Sequence, residues 1–213
     1  MDDLLLLIVC SPSGAGKTTL TRKLLEAFPR LTFSVSHTTR QPRTGEVPGQ
    51  DYHFINEAEF MSMVNGGHFA EWAKVHDNYY GTSLDELERA RVDGKRGIVF
   101  DVDYQGARQI KASLPDAVGV FILPPSLEDL KTRLRTRGLD TEETIQKRFA
   151  KAKLEIEHYL FFDYLIINDQ VEEAAARLRG IVYAENCRRA RLAKQAEDLL
   201  RTGRINTTNR GPA

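Results

Sequence analysis

Residues 11–18, Ser11-Pro12-Ser13-Gly14-Ala15-Gly16-Lys17-Thr18, follow an uninterrupted apolar run from Leu4 to Cys10 and open a helical pattern. That order constrains the chain more than anything else in it. A short, continuously apolar segment with β-branched members reads as a parallel strand covered on both faces. Small residues after such a strand let successive backbone N–H groups turn toward one anion, and the helix that follows aims its positive end at the same point. Lys17 adds a mobile positive charge. Thr18 adds a hydroxyl of the kind that holds a magnesium ion bridging phosphate oxygens. Ser11 to Thr18, with Thr19 beside them, are therefore expected to bind the polyphosphate of ATP or GTP. A chance Gly-Lys-Thr in a surface loop is the competing reading, and the strand before it and the helix after it argue against that. Ser11 departs from the general signature, which has glycine there, so a residue with a Cβ must make the turn.

At 213 residues the chain suits one large domain with insertions better than two small ones. Its 30 basic and 30 acidic residues balance, so no global field favours nucleic acid or a membrane surface, and anion binding must come from local clusters. Cys10 lies in an apolar strand and Cys187 in a basic helix, which is no disulfide framework and fits a reducing cytoplasm. The apolar N-terminal run is too short to span a bilayer and lacks basic flanks and a cleavage site, so no secretion is expected.

Along the chain, Leu20, Leu24, Leu25 and Phe28 share one helical face, and Pro29 ends that helix. Leu31 to Ser36 alternates as a short strand would. His37 to Gly49 is rich in turn formers and reads as a loop carrying Arg40 and Arg43. Those two arginines suit either a bidentate clamp on a second phosphate group or a solvated basic loop, and spacing alone leaves both open. Residues 51–55, 69–75 and 78–82 read as short strands around a helix at 57–64, an inserted α+β subdomain. Ile98 to Asp103 is a buried strand ending in the carboxylates Asp101 and Asp103, which face the same crevice as the phosphate loop. They suit a magnesium shell or the reading of an acceptor, and Asp103 alone also suits a helix N-cap.

After a strand at 117–123, Ser126 and Asp129 mark a helix start. Arg133, Arg135, Arg137, Lys147 and Arg148 then flank a Gly138-containing turn, in which Asp140 is placed to cap a second helix running to about His158. A hinged helical hairpin carrying arginines over a phosphate loop is what a closing lid requires, the alternative being a pair of solvated helices. Tyr164 to Asn168 is a last strand and 171–184 a helix. Residues 187–201 form a charged helix whose stripe of Leu192, Ala196 and Leu199 or Leu200 is expected to pack on the core. Residues 202–213 are expected to be disordered.

Taken in order, SPSGAGKT, VSHTTRQPRTGE, FAEWAKV with NYYGT, FDVDYQG, ILPPSLEDL and IIND closely resemble guanylate kinase in its bacterial form, over about Leu4 to Glu185. The resemblance implies an α/β P-loop nucleoside monophosphate kinase with a parallel sheet core flanked by helices. Its core would comprise residues 4–36, 93–125 and 159–185, with a GMP-binding subdomain at 37–92, a lid at 126–158, and a C-terminal helix and disordered tail at 186–213. It implies transfer of phosphate from ATP to GMP and dGMP with Mg2+, in guanine nucleotide salvage and GTP supply, in the cytoplasm, with no nucleic acid or membrane partner. Homo-oligomer formation stays open.

By similarity, Ser36, Glu71, Thr82 and Asp103 match guanine readers. Arg40, Arg43, Tyr52 and Tyr80 match the holders of the GMP phosphate, which favours the clamp. Arg133, Arg137 and Arg148 match lid positions that embrace the phosphates during transfer, and Lys17 serves the same transfer from the loop. Asn168 lies where the family contacts adenine, and Asp101 matches an acidic position near the magnesium. A phosphomonoester acceptor has its second pKa at about 6 and is already ionised near neutrality. His37, His53, His68, His76 and His158 therefore need no role as general base. A kinase for another nucleoside monophosphate and a non-catalytic phosphopeptide-binding scaffold are the competing functions. Glu71 argues against the first, and the intact Gly16-Lys17-Thr18 with the lid arginines against the second.

Overall fold

In the computed structural model, which describes residues 4–136 and 141–205, the apolar run becomes strand β1 (Leu5–Cys10), buried along its whole length. Because a strand sends successive side chains to opposite faces, β1 feeds two cores. Leu5, Leu7 and Val9 pack with Leu20, Leu24 and Phe28 of helix α1 (Lys17–Ala27) and with Leu178 and Val182 of α7 (Val171–Asn186). Leu6, Ile8 and Cys10 pack with Leu87 and Ala90 of α3 (Asp85–Val92) and with Ala107 and Ile110 of α4 (Tyr104–Ser113). Burial on both faces is why this strand shows no polar alternation.

Four more strands complete a parallel sheet: β2 (Leu31–Phe33), β7 (Gly97–Asp101), β8 (Val118–Leu123) and β9 (Tyr164–Ile167), in the order β2-β7-β1-β8-β9. With β7 on one side of β1 and β8 on the other, the loop after β1 lies at the carboxyl ends of the strands, where open α/β sheets bind ligands. A second sheet, ordered β4-β3-β6-β5, is built from β3 (His37–Thr38), β4 (His53–Phe54), β5 (Phe69–Val75) and β6 (Asn78–Ser83). Helix α2 (Glu57–Asn65) joins β4 to β5, and its Phe60 stacks between Phe69 and Tyr79. Helices α5 (Leu127–Thr136) and α6 (Glu142–Ile156) form a hairpin with a small core of its own, made by Leu130, Leu134, Ile145 and Ala152.

Several expectations need correction. The strand expected to reach Ser36 stops at Phe33, because residues 34–36 bridge the two sheets. His37 and Thr38, read as loop, pair with β4 and β6. Thr141 caps α6 by accepting from Thr144 N–H, whereas Asp140, expected to cap it, lies outside the described residues, as do Arg137 and the tail from 206 onward. Helix α8 (Arg189–Thr202) buries none of its residues, so its apolar stripe does not enter the core; Arg191 donates to Leu4 O at 3.0 Å. No described helix is long and apolar enough to cross a membrane.

Candidate active site

The loop after β1 turns on two glycines, Gly14 (φ 93°) and Gly16 (φ 97°), in the left-handed region that favours residues without a Cβ. Ser11 needs no such conformation: among the described residues only His76 is a non-glycine with positive φ. Gly16 also has no room for a side chain, since a Cβ there would lie 2.3 Å from Asn168 Nδ2. Asn168, at the end of β9, is only 2% exposed and donates from Nδ2 to Ala15 O at 2.7 Å. The resemblance implies contact with adenine for this residue; in the structure its carboxamide braces the phosphate loop.

Lys17 opens α1 and donates to the Asp101 carboxylate at the end of β7, with Val102 O at 3.5 Å. Thr18 and Asp101 line one cavity of about 480 Å³ with Thr21, Arg22, Leu25, Glu26 and Phe33. A hydroxyl and a carboxylate lining one cavity are hard oxygen donors and fit magnesium, which takes few protein ligands and completes its shell with water and phosphate oxygens. Among the described residues no group of three or more His, Cys, Asp or Glu side chains is arranged to cage a metal. Cys10, at the foot of the loop, has its thiol pushed up to about 12 by burial and is chemically inert there.

Across the crevice the second sheet brings three expected readers together. Thr82 Oγ1 donates to Glu71 Oε1 at 2.8 Å, and Ser36 Oγ lies 3.2 Å from Thr82 Oγ1. Glu71 is buried, and its other oxygen would lie 3.4 Å from a Cβ on Gly106, in the first turn of α4. Burial raises its carboxyl above the usual 4.5, opposed by the hydrogen bonds from Thr82 and reinforced by the nearby charge of Asp103. Asp103 is the N-cap of α4, accepting from Gly106 N–H at 2.9 Å, so the capping reading holds for one of its oxygens. Two residues with no apparent role in the sequence fix this strand. Gln109 accepts from Trp72 N–H and donates to Trp72 O, both at 3.0 Å, and Ser113 donates to Ala70 O at 3.2 Å. Helix α4 thus grips the backbone on either side of Glu71.

Arg40 lies over Tyr52 with 5.4 Å from its guanidinium carbon to the ring centre, and the Tyr52 and Tyr80 rings are 6.0 Å apart. Arg40 Nη2 is shared between both oxygens of Glu46, at 2.8 and 3.0 Å, a pairing that raises the guanidinium's pKa and lowers that of Glu46. Glu46 also accepts from Arg43 N–H at 2.8 Å, so a carboxylate absent from the sequence reading orders the whole basic loop.

The helical hairpin touches the phosphate loop directly. Leu130 and Leu134 pack over Gly14, Arg133 donates to Asn168 O at 3.0 Å, and Arg148 donates to Ser13 Oγ at 2.7 Å. Glu155, one further residue not foreseen, accepts from Ser13 N–H at 3.3 Å.

Residues 4–185 match the family model described as guanylate kinase. The chain belongs to the guanylate kinase family. It is similar to the guanylate kinase of Geobacter metallireducens, with 50% identity over 88% of this chain and 92% of that one, and to that of Maricaulis maris, with 52% identity over 87% and 85%. The crystal structure of guanylate kinase from Anaplasma phagocytophilum superposes with a TM-score of 0.71 at 33% identity, covering 97% of this chain and 98% of that one. Membership makes the protein a kinase, a nucleotide-binding enzyme that transfers phosphate. Within this guanylate kinase fold, Lys17, Thr18 and Asp101 stand at the loop after β1 and the end of β7, while Ser36, Glu71 and Thr82 share one cluster in the second sheet.

Proposed function

We propose that the protein phosphorylates GMP, and dGMP, at the expense of ATP to give GDP or dGDP and ADP. The observation that carries this reading is the buried Glu71 carboxylate, held by Thr82 beside Ser36 in the second sheet. A guanine edge offers N1–H and a 2-amino group to such an acceptor; adenine offers neither there. ADP release measured by a coupled assay with GMP, dGMP, AMP, UMP and dTMP tests it: GMP and dGMP should be used well and the others poorly, and a preference for another acceptor would overturn it.

The two-sheet arrangement supports a division into core, acceptor subdomain and lid, with α3, which the resemblance puts in the acceptor subdomain, packed on the core. Arg40, Arg43, Tyr52 and Tyr80 hold the acceptor phosphate, with Arg40 preset by Glu46. The backbone of Ser11 to Thr19 and the Lys17 ammonium hold the donor phosphates. Arg133, Arg137 and Arg148 complete the charge screen when the lid closes. These residues align the reacting oxygens and offset repulsion between two anions, and an ionised acceptor needs no base. Magnesium, held by Thr18 and, through water, by Asp101, would screen the donor phosphates when bound. The free thiols of Cys10 and Cys187 fit a cytoplasmic enzyme of guanine nucleotide salvage and GTP supply.

Clamp and lid separate kinetically. Arg43→Ala should raise KM for GMP about tenfold with kcat little changed, since it removes a charge-assisted bond to the bound acceptor. Arg148→Ala should instead lower kcat about a hundredfold, because it acts on closure. Steady-state kinetics in both substrates check the split, and the reverse pattern would exchange the two roles.

A pH effect follows from Glu71. Its pKa is raised, so as pH falls its carboxylate takes up a proton at a higher pH than an ordinary glutamate and loses the capacity to accept both guanine donors. Competitive inhibition by guanosine, which has no phosphate of its own to titrate, should therefore weaken on the acid side. The Glu71→Gln variant should not show this limb.

A further inference from the structure

The two sheets are joined on one side by residues 34–36. Ser34 N–H donates to Val99 O at 3.0 Å and so belongs to the core sheet, while Ser36 O accepts from His53 N–H at 2.9 Å and so belongs to the second. Between them, Val35 N–H donates to a side chain, Glu86 Oε2, at 2.9 Å. Glu86 sits on α3, the other connection between the sheets, whose Leu87 and Ala90 are buried in the core beside β1 and β7. It is itself only 7% exposed. Its second oxygen accepts from Arg89 Nη1 at 2.6 Å, and the same guanidinium nitrogen lies 2.7 Å from His53 Nε2. That imidazole nitrogen also lies 3.4 Å from Glu86 Oε1, so Glu86, Arg89 and His53 form one cluster.

The geometry points to Glu86 as a positioning residue for acceptor recognition: by clasping Val35 N–H from a helix fixed in the core, it sets where Ser36, and with it the Thr82–Glu71 pair, stands relative to the phosphate loop. The inference rests on the GMP reading above and deepens it. Residues 34–36 have no sheet partner for Val35, so without the clasp that amide is half-buried and unsatisfied, and the segment must shift to reach water. Such a shift moves Ser36 Oγ away from Thr82 while leaving the donor side untouched. The prediction is a loss specific to the acceptor.

Two variants separate position from charge. Glu86→Asp keeps the charge and the partner Arg89 but is one methylene too short to reach Val35. Glu86→Gln keeps the reach, its amide oxygen accepting from Val35 N–H, but loses the charge and sets its NH2 against the half-exposed Arg89 guanidinium, which must turn away toward solvent. Glu86→Asp should raise KM for GMP about tenfold, with KM for ATP within about twofold, and should speed exchange of the Val35 amide hydrogen. Glu86→Gln should restore both toward the parent values. If Glu86→Gln is the impaired variant and Glu86→Asp is not, the charge pair with Arg89 matters and the clasp does not. If KM for ATP and GMP rise together in Glu86→Asp, the residue is merely structural. Amide exchange reports the clasp whatever the acceptor, so failure of the parent protein to use GMP would overturn the function while an unchanged Val35 exchange rate would overturn the clasp.

Discussion

Replacing Lys17 with Met should remove most phosphoryl transfer, about a hundred- to a thousandfold in kcat, while leaving a folded protein. The charge lost is one aimed at phosphate oxygens whose negative charge is redistributed during transfer. The methionine stem keeps the apolar contacts of the lysine chain. What stability the change costs comes from Asp101, which loses its partner. The Lys17 and Asp101 side chains are 21% and 22% exposed, so the freed carboxylate reaches water, and the cost should be about 1 kcal/mol or less. Turnover measured beside a thermal melt checks this. Near-normal kcat in the folded variant would remove Lys17 from the chemistry.

What was legible in the sequence is what repeats or is local. β1 and the loop after it are a contiguous motif, and α1 shows its buried face at helical spacing, so both stand in the structure where they were expected. His37–Thr38 was illegible because two residues carry no period, and its strand character comes from β6, some forty residues away. The stripe on α8 looks the same whether or not anything covers it, and only the three-dimensional arrangement shows that the core does not. Glu46, Glu86 and Gln109 are illegible for a different reason. Each acts by a side-chain bond to a backbone group or to a functional residue's charge, a contact that composition and spacing do not encode. The resemblance gives Asn168 a base to contact; its bond to Ala15 O, which spacing does not encode, is visible only in the structure.

Glu71→Gln should cost GMP about ten- to a hundredfold in kcat/KM, the range for losing a hydrogen bond to a charged group, roughly 1.5–3 kcal/mol. An ionised carboxylate accepts from both guanine N1–H and the 2-amino group; the amide keeps one acceptor and places a donor beside it. Discrimination against AMP should shrink as well. In the parent protein the unprotonated N1 of adenine faces carboxylate lone pairs and leaves a desolvated charge unpaired, whereas the amide NH2 can donate to it. Stability should move the other way. The folded-state pKa of Glu71 lies above its unfolded value, so folding favours the protonated form and ionisation at neutral pH costs stability. A neutral isostere that still accepts from Thr82 Oγ1 removes that cost, and Tm should hold or rise. A residue that merely braced the sheet would lose stability and leave the ratio of GMP to AMP unchanged. Kinetics with both nucleotides and a melt at neutral pH give the two signs together, and an unchanged ratio with unchanged GMP kinetics would falsify the guanine-reading role.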